Sequence, residues 1–427
     1  MKLKVNPGRL SGQVTIPGSK SHTIRGLILG LLAGGESRLV RPLASSDTES
    51  CVEFCRALGA EVDTSDPACW KIRGTAGRPA PRRELVDVGN SGTTLFLGMG
   101  AAALCERLVE ITGDEQTQRR SAAPLLHALE QLGATARSKA GTGCAPIVVG
   151  GGLKGGKASI ECPTSQYLSS LLISCPLADR DTEIVVPLLH EKPYVRMTCR
   201  WLEEMNVRME PSPDLQHFRI PGRQRYAAFE KAVPADFSSA TFFLVAAAVT
   251  GCEVLLSGLD MDDTQGDKAV VGMLRAMGCE ATVQRGGLRV KGPKVLRGGT
   301  FDLNATPDAL PAMAVAACVA QGETRLVNVP QARIKETDRL SAMREELGRM
   351  GARVKELPDG LVVTGGALHG AAVDGRGDHR IVMALAVAGL RAEGETIVST
   401  AERASVTFPE FVPLMQGLGA PMKLEKD

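Results

Sequence analysis

Three residues suited to holding an anion, Lys20, Ser21 and Arg25, fall within PGSKSHTIRG, the stretch from Pro17 to Gly26. Ile24, Leu27, Ile28 and Leu31 follow at helical spacing, so the stretch reads as the start of an amphipathic helix. Ser19 or Ser21 is placed to cap it. Free amides at a helix N-terminus, hydroxyls and two cations together make a seat for a phosphate or carboxylate. Similar residue types recur along the chain. QTQRRSAAPLLHAL puts Arg119 and Arg120 just before a helix, and KPYVR carries Lys192 and Arg196. ARIKETDRL carries Arg333, Lys335, Glu336, Asp338 and Arg339 behind the strand-like LVNV, and RGDHRIVMAL carries His379 and Arg380. A charge run is commonly a solvated face. The mixture of acids and bases in ARIKETDRL also suits a site needing anion clamps and proton transfer together.

The elements that must position these residues repeat. A helix end followed by a strand recurs as RALGAEVD, EQLGATAR, EEMNVRME, RAMGCEAT, GRMGARVK and QGLGAPMK. Gly59, Gly133, Asn206, Gly278, Gly351 and Gly419 in these copies are 74, 73, 72, 73 and 68 positions apart. Each sits where a left-handed C-cap is wanted. A second series of helix starts, marked by Lys20, Asn90, Ser165, Ser238, Asp308 and His379, steps by 70, 75, 73, 70 and 71 positions. Each start carries Ser, Thr, Asn or Asp for capping, and each helix body reads as apolar all round and hence fully buried. Short alternating segments such as KIRG, IVVGG and LVVTGG read as strands between them. Six βαβ-containing units packed by pseudo-symmetry would point their buried helices the same way. Their N-termini, where the polar residues concentrate, would then share one surface with a positive field. Capping alone accounts for some of those polar residues, but not for Lys20, Arg120, Lys335, Arg339 and Arg380.

Composition narrows the function classes. A chain of 427 residues suggests two or three domains. Its 50 basic and 48 acidic residues give a formal charge of +2, with no global sign of nucleic-acid binding, so any anion site is local. The 11 cysteines are scattered, and Cys51 and Cys55 lack zinc-ligand spacing, which points to buried thiols in a reducing cytosol. No signal peptide or apolar run of roughly 18 residues is visible, so the expectation is a soluble cytoplasmic protein without membrane partners. GGLKGGKA, from Gly151 to Ala158, approaches a nucleotide-binding P-loop but has Ala158 where the magnesium-holding hydroxyl belongs and is followed by strand-like ASIEC.

PGSKSHTIR, GNSGTT, GD followed by RR, TSQYLSSLL, KPY, DFSSATFFL, PDALPAMAV, ARIKETDRL, GDHRIVMAL and TFPEF occur in this order over essentially the whole chain. In order and spacing they resemble the 5-enolpyruvylshikimate-3-phosphate synthase family. The resemblance implies an α/β (α+β) fold of two similar lobes, each of three βαβ-type repeats with buried parallel helices, a six-repeat inverse α/β barrel. One lobe would comprise residues 1–19 and 235–427, the other residues 20–234, with the active site in the cleft between them. The implied reaction moves the enolpyruvyl group of phosphoenolpyruvate to the 5-hydroxyl of shikimate 3-phosphate and releases phosphate, with no metal or organic cofactor. It belongs to the shikimate pathway to chorismate and aromatic amino acids.

By position in the matching motifs, Lys20, Arg120, Arg339 and Arg380, with Gly92 and Gln166, would hold phosphoenolpyruvate. Arginine suits that task because its fork grips a carboxylate or phosphate through two bonds. Ser21 and Arg25 would hold the shikimate carboxylate, and Thr164 and Ser165, beside Gln166, its phosphate. Gln331 and Lys335 would hold its remaining oxygens. Asp308 resembles the base on the attacking hydroxyl, with a plain N-cap as its alternative, and Glu336 with Lys20 resembles the pair that handles the proton at the methylene carbon. A monomer acting on two small molecules follows.

Four positions depart from the family pattern: Phe96 and Val406 stand where a cation is usual, Glu191 where a phosphate-binding serine is usual, and Gln331 where asparagine is usual. Arg403 or Arg196 could replace the lost charge. The departures keep other readings open: a phosphate-eliminating lyase acting on a phosphorylated cyclitol, an enolpyruvyl transferase with another acceptor such as a UDP-sugar, or a silent binding protein.

Overall fold

The apolar stretches of the six repeats form helices with almost no exposed surface: Lys20–Leu32, Gly92–Ala103, Ser165–Ser174, Phe237–Thr250, Leu310–Val319 and His379–Gly389. A helix apolar on every side has no face to offer water, so protein must surround it. The computed structural model describes residues 1–426. It divides into two compact units, one of Met1–Pro17 with Pro234–Asp427 and the other of Gly18–Val233. Each unit contains three of the buried helices and three four-stranded sheets.

Four repeats share one plan, in which a buried helix joins two parallel strands, and in three of them all four strands come from one contiguous stretch. Leu85–Asp87 leads through the Gly92 helix to Val109–Thr112, and Gly156–Ser159 leads through the Ser165 helix to Thr182–Val185. Thr300–Asp302 with Glu323–Val327, and Ala372–Asp374 with Thr396–Ser399, repeat this around the Leu310 and His379 helices. The second parallel strand is followed by an outer helix and then by antiparallel strands that complete the sheet, as Thr135–Ser138 and Ile147–Gly150 do. Outer helices such as Ser46–Ala57 and Lys192–Glu204 bury one face only, as amphipathic sequence dictates.

The other two repeats are built from distant pieces. In the Gly18–Val233 unit, Glu230–Ala232 pairs in parallel with Glu36–Val40. In its counterpart, Ser11–Thr15 pairs in parallel with Glu253–Ser257, so the other unit is inserted between this strand and the Phe237 helix. The first strand, Lys2–Val5, lies between Thr396–Ser399 and Met422–Glu425, antiparallel to both, and completes the last sheet.

All six recurring turn residues adopt positive φ: 105° at Gly59, 85° at Gly133, 58° at Asn206, 105° at Gly278, 86° at Gly351 and 94° at Gly419. Asparagine is the side chain that best tolerates this conformation, which explains the one exception to glycine. Close approach demands glycine again between two buried helices. A Cβ at Gly100 would lie 2.5 Å from the Ser170 carbonyl oxygen, while the Gly100 amide donates to Ser170 Oγ at 3.0 Å. The body of the Ser165 helix is thus not purely apolar: Ser169, Ser170 and Ser174 lie buried within it, each hydrogen-bonded. In the other unit, Phe242, Phe243, Phe408 and Phe411 pack together with ring centroids 5.9–6.2 Å apart, fastening the TFPEF segment to the Phe237 helix.

All 11 cysteines are free thiols. Burial pushes the thiols of Cys162, Cys175 and Cys318 up to about 12, which keeps them protonated and unreactive. Among the described residues no cluster of three or more His, Cys, Asp or Glu could hold a metal ion, and no helix is long and apolar enough to cross a membrane. Gly156–Ser159, at the end of the P-loop-like stretch, is a strand, so no helix N-terminus follows those glycines to receive a phosphate.

Candidate active site

The buried helices begin with the residue types that cap them, but not uniformly. Ser91, Thr164, Asp236 and Asp378 accept a backbone N–H of the first turn through their side chains. Ser19 occupies the cap position of the Lys20 helix without doing so, and its buried hydroxyl has no partner. The expected Ser cap is therefore absent there. Instead the Ser19 carbonyl receives both the amide and the hydroxyl of Thr23.

In the Gly18–Val233 unit, Lys20 is the first residue of its helix, and Nζ lies 2.9 Å from Asp47 Oδ2. The Asp47 side chain is only 5% exposed, and Oδ1, also buried, has no partner. Arg25, one turn further on, is buried, and its hydrogen bonds go to neutral oxygens: Thr198 Oγ1 at 2.9 Å, the Ser21 carbonyl at 3.0 Å, the Tyr194 carbonyl at 3.2 Å and Ser169 Oγ at 3.4 Å. Loss of hydration lowers its pKa to about 10. Gln166 Nε2 donates to Thr93 Oγ1 at 3.0 Å, linking the first turns of two buried helices. The Arg120 guanidinium lies directly over Gly92: a methyl there would sit 2.1 Å from Nη1. Thr164 and Ser165, at the start of the Ser165 helix, both donate to Glu191 Oε2. The distances are 3.0 Å from the Ser165 amide, 2.7 Å from its hydroxyl and 3.3 Å from the Thr164 hydroxyl.

In the unit formed by the two chain ends, the predicted residues form one charged network. Arg339, the first residue of the helix Arg339–Arg349, is 1% exposed and touches three carboxylates. Nη1 is 2.8 Å from Asp308 Oδ1, Nη2 is 2.5 Å from Glu336 Oε2, and Nε is 2.8 Å from Asp378 Oδ2. Arg380 Nη2 lies 2.9 Å from the other Asp308 oxygen, while Nη1 donates to Ser238 Oγ at 2.6 Å. Asp308 stands inside the single 3₁₀ turn Pro307–Ala309, whose cap position belongs to Thr306. Its oxygens receive two guanidinium groups rather than capping, so the plain N-cap alternative does not hold. Burial would raise the Asp308 pKa, but the charges of Arg380, Lys335 and Arg339 outweigh it and hold the carboxyl well below the usual range. Burial likewise opposes the charge of Arg339, and Asp378, Glu336 and Asp308 override it, raising the guanidinium pKa further. Gln331 Nε2 donates to the Asn304 carbonyl at 2.9 Å, leaving a buried Oε1 without a partner.

Two buried clusters of charged and hydroxyl side chains, one in each unit, invite comparison with known proteins. The family model described as EPSP synthase (3-phosphoshikimate 1-carboxyvinyltransferase) matches residues 5–415. The chain belongs to the EPSP synthase family. A protein of Acetivibrio thermocellus named 3-phosphoshikimate 1-carboxyvinyltransferase is 51% identical over 420 residues, covering 98% of this chain and 99% of that one. One of the same name from Ruminiclostridium cellulolyticum is 48% identical over 424 residues, covering 99% of this chain and all of the other. The solved EPSP synthase of Acinetobacter baumannii superposes with a TM-score of 0.84 at 25% identity, over 100% of both chains.

Against the family pattern, Phe96 lies buried in the middle of the Gly92 helix, its ring edge-on to Tyr167 at 5.0 Å between centroids. Val406 ends the 3₁₀ segment Ala401–Val406; Arg403 in that segment is half-buried, and Arg196 is exposed. Sequence reasoning missed Asp47, Ser238 and Asp378. Asp47 and Asp378 each read as ordinary first-turn or capping acids, and Asp378 does cap, accepting the Arg380 amide at 2.8 Å. The available signal was a buried cation nearby in the repeat pattern that would need a counter-charge.

Proposed function

We propose that the protein transfers the enolpyruvyl group of phosphoenolpyruvate to the 5-hydroxyl of shikimate 3-phosphate and releases phosphate. The family match over residues 5–415 carries this reading. The residues suit the chemistry. Both substrates are polyanions, so cations must hold them before any acid or base acts. Lys20, Arg120, Arg339 and Arg380 form the phosphoenolpyruvate clamp, with Gly92 leaving room for the Arg120 guanidinium and Gln166 beside it. Arg25, whose hydrogen bonds go only to neutral groups, suits the ring carboxylate together with Ser21; Thr164 and Ser165 take the ring phosphate, and Gln331, through its unpartnered oxygen, accepts a ring hydroxyl, with Lys335 on the remaining oxygens.

Asp308 serves as the base on the attacking hydroxyl. While Arg339 and Arg380 grip it, it is a poor proton acceptor, because its pKa is held low. An incoming anion that draws these guanidinium groups to itself loosens that grip and raises the proton affinity of Asp308 when the hydroxyl arrives. Glu336 and Lys20 deliver the proton to the methylene carbon; the oxygen of the ring bonds to the adjacent carbon, and the adduct then loses phosphate and a proton. The protein works as a cytoplasmic monomer without a cofactor.

Phosphate release should require phosphoenolpyruvate and shikimate 3-phosphate together, and neither alone should support it. Phosphate liberated from the ring substrate alone, at a rate indifferent to phosphoenolpyruvate, would replace the transferase reading with elimination.

A further inference from the structure

Glu191 holds an unusual position for a carboxylate. Its residue is 2% exposed, and one oxygen accepts three hydrogen bonds from Thr164 and Ser165 at the start of a ten-residue buried helix. A carboxylate there is favoured for the reason a phosphate would be: convergent N–H and O–H donors and the positive end of the helix. The Ser165 amide has one hydrogen, as does each hydroxyl, so these donors cannot serve Glu191 and a ligand phosphate fully at once.

We propose that Glu191 is a built-in occupant of the phosphate seat, and that shikimate 3-phosphate binds only those molecules in which this side chain has left it. The inference rests on the assignment of Thr164 and Ser165 to the ring phosphate given above. Glutamate has three rotatable side-chain bonds, so its carboxylate can leave by rotation while the backbone, which starts the helix Lys192–Glu204, stays in place. Apparent affinity is then the intrinsic affinity scaled by the fraction of molecules with an open seat. A seat occupied in about 90–99% of molecules weakens binding about 10- to 100-fold. Glu191 thereby sets the working range of the ring substrate without touching the reacting atoms.

The test compares wild type with Glu191→Ser and Glu191→Gln. Titration with shikimate 3-phosphate, followed by thermal stabilisation and by KM in the phosphate-release assay, should show binding about 10- to 100-fold tighter in Glu191→Ser. Glu191→Gln, which keeps the shape and removes the charge, should fall between, and it carries the comparison if the serine variant folds poorly. Unphosphorylated shikimate should bind all three alike. Unchanged or weaker binding of shikimate 3-phosphate in both variants would overturn the proposal and make Glu191 a structural cap or a substrate contact. Inorganic phosphate serves as the independent probe: it should stabilise Glu191→Ser at lower concentrations than wild type even if no protein in the set turns over phosphoenolpyruvate. A failed transferase reading is thereby distinguished from a failed occupant.

Discussion

Replacing Asp308 by asparagine removes one negative charge from a network of Lys335, Arg339 and Arg380 against Asp308, Glu336 and Asp378. The carboxylate holds Arg339 Nη1 at 2.8 Å with one oxygen and Arg380 Nη2 at 2.9 Å with the other, at 23% side-chain exposure. Asparagine keeps one acceptor oxygen and turns an NH₂ group toward the second guanidinium. With charge-assisted bonds worth about 1.5–3 kcal/mol each, the folded state should lose about 2–3 kcal/mol. Domains commonly have about 5–15 kcal/mol in hand, so Asp308→Asn should still fold. Turnover should drop about 10²- to 10⁴-fold, the usual cost of removing an acid or base. The stability loss should also depend on pH in a definite sense. A carboxyl whose pKa is depressed by folding contributes stability above its ordinary pKa of about 3.9 and loses it as pH falls toward the lower folded value. The gap between wild type and Asp308→Asn in urea titrations should therefore be full at pH 7 and narrow progressively below about pH 4. Turnover within tenfold of wild type would refute the base assignment, and a stability gap that does not change between pH 7 and pH 3 would refute the electrostatic account of the network.

Three further outcomes follow from the geometry. Gly92→Ala puts a methyl 2.1 Å from Arg120 Nη1, so steady-state kinetics should show a raised KM for phosphoenolpyruvate with a smaller change in KM for the ring substrate. Asp47→Asn removes the charge that holds Lys20 at 2.9 Å, and should lower kcat while far-UV circular dichroism stays unchanged; unaltered kinetics would show that Lys20 needs no such partner. Gly100→Ala drives a Cβ to within 2.5 Å of the Ser170 carbonyl, and thermal melting should reveal a loss of about 1–3 kcal/mol, typical of overpacking between close elements.

The repeat was legible in the sequence because its punctuation is a matter of local backbone chemistry. A left-handed residue must end each outer helix, and Gly59, Gly133, Asn206, Gly278, Gly351 and Gly419 all take that conformation. Helices apolar on every side could only be buried, and they are. What could not be read was the pairing of groups far apart in the chain. Arg339 finds Asp378, 39 positions away, and Glu191 reaches Ser165, 26 positions away, by contacts that no local pattern encodes. In the sequence Glu191 marks only a departure from an expected serine; that its carboxylate would accept from Thr164 and Ser165 depends on side-chain placement. The strand at Lys2–Val5 alternates as a strand should, but alternation does not name a partner at the opposite end of the chain.

That last pairing fixes an order of assembly during synthesis. Lys2–Val5 leaves the ribosome about 390 residues ahead of the strands it pairs with, Thr396–Ser399 and Met422–Glu425. At about 5–20 residues per second, the nascent strand waits roughly 20–80 s for them. The segment Gly18–Val233 contains all its own strands and can fold in that interval. Until then the waiting strand's backbone N–H and C=O groups are unpaired, which invites pairing with other chains. Lys2 and Lys4 place like charges along it until Glu425 arrives to take Lys4 at 2.9 Å. Like charges along a strand oppose its pairing with an identical strand of another chain.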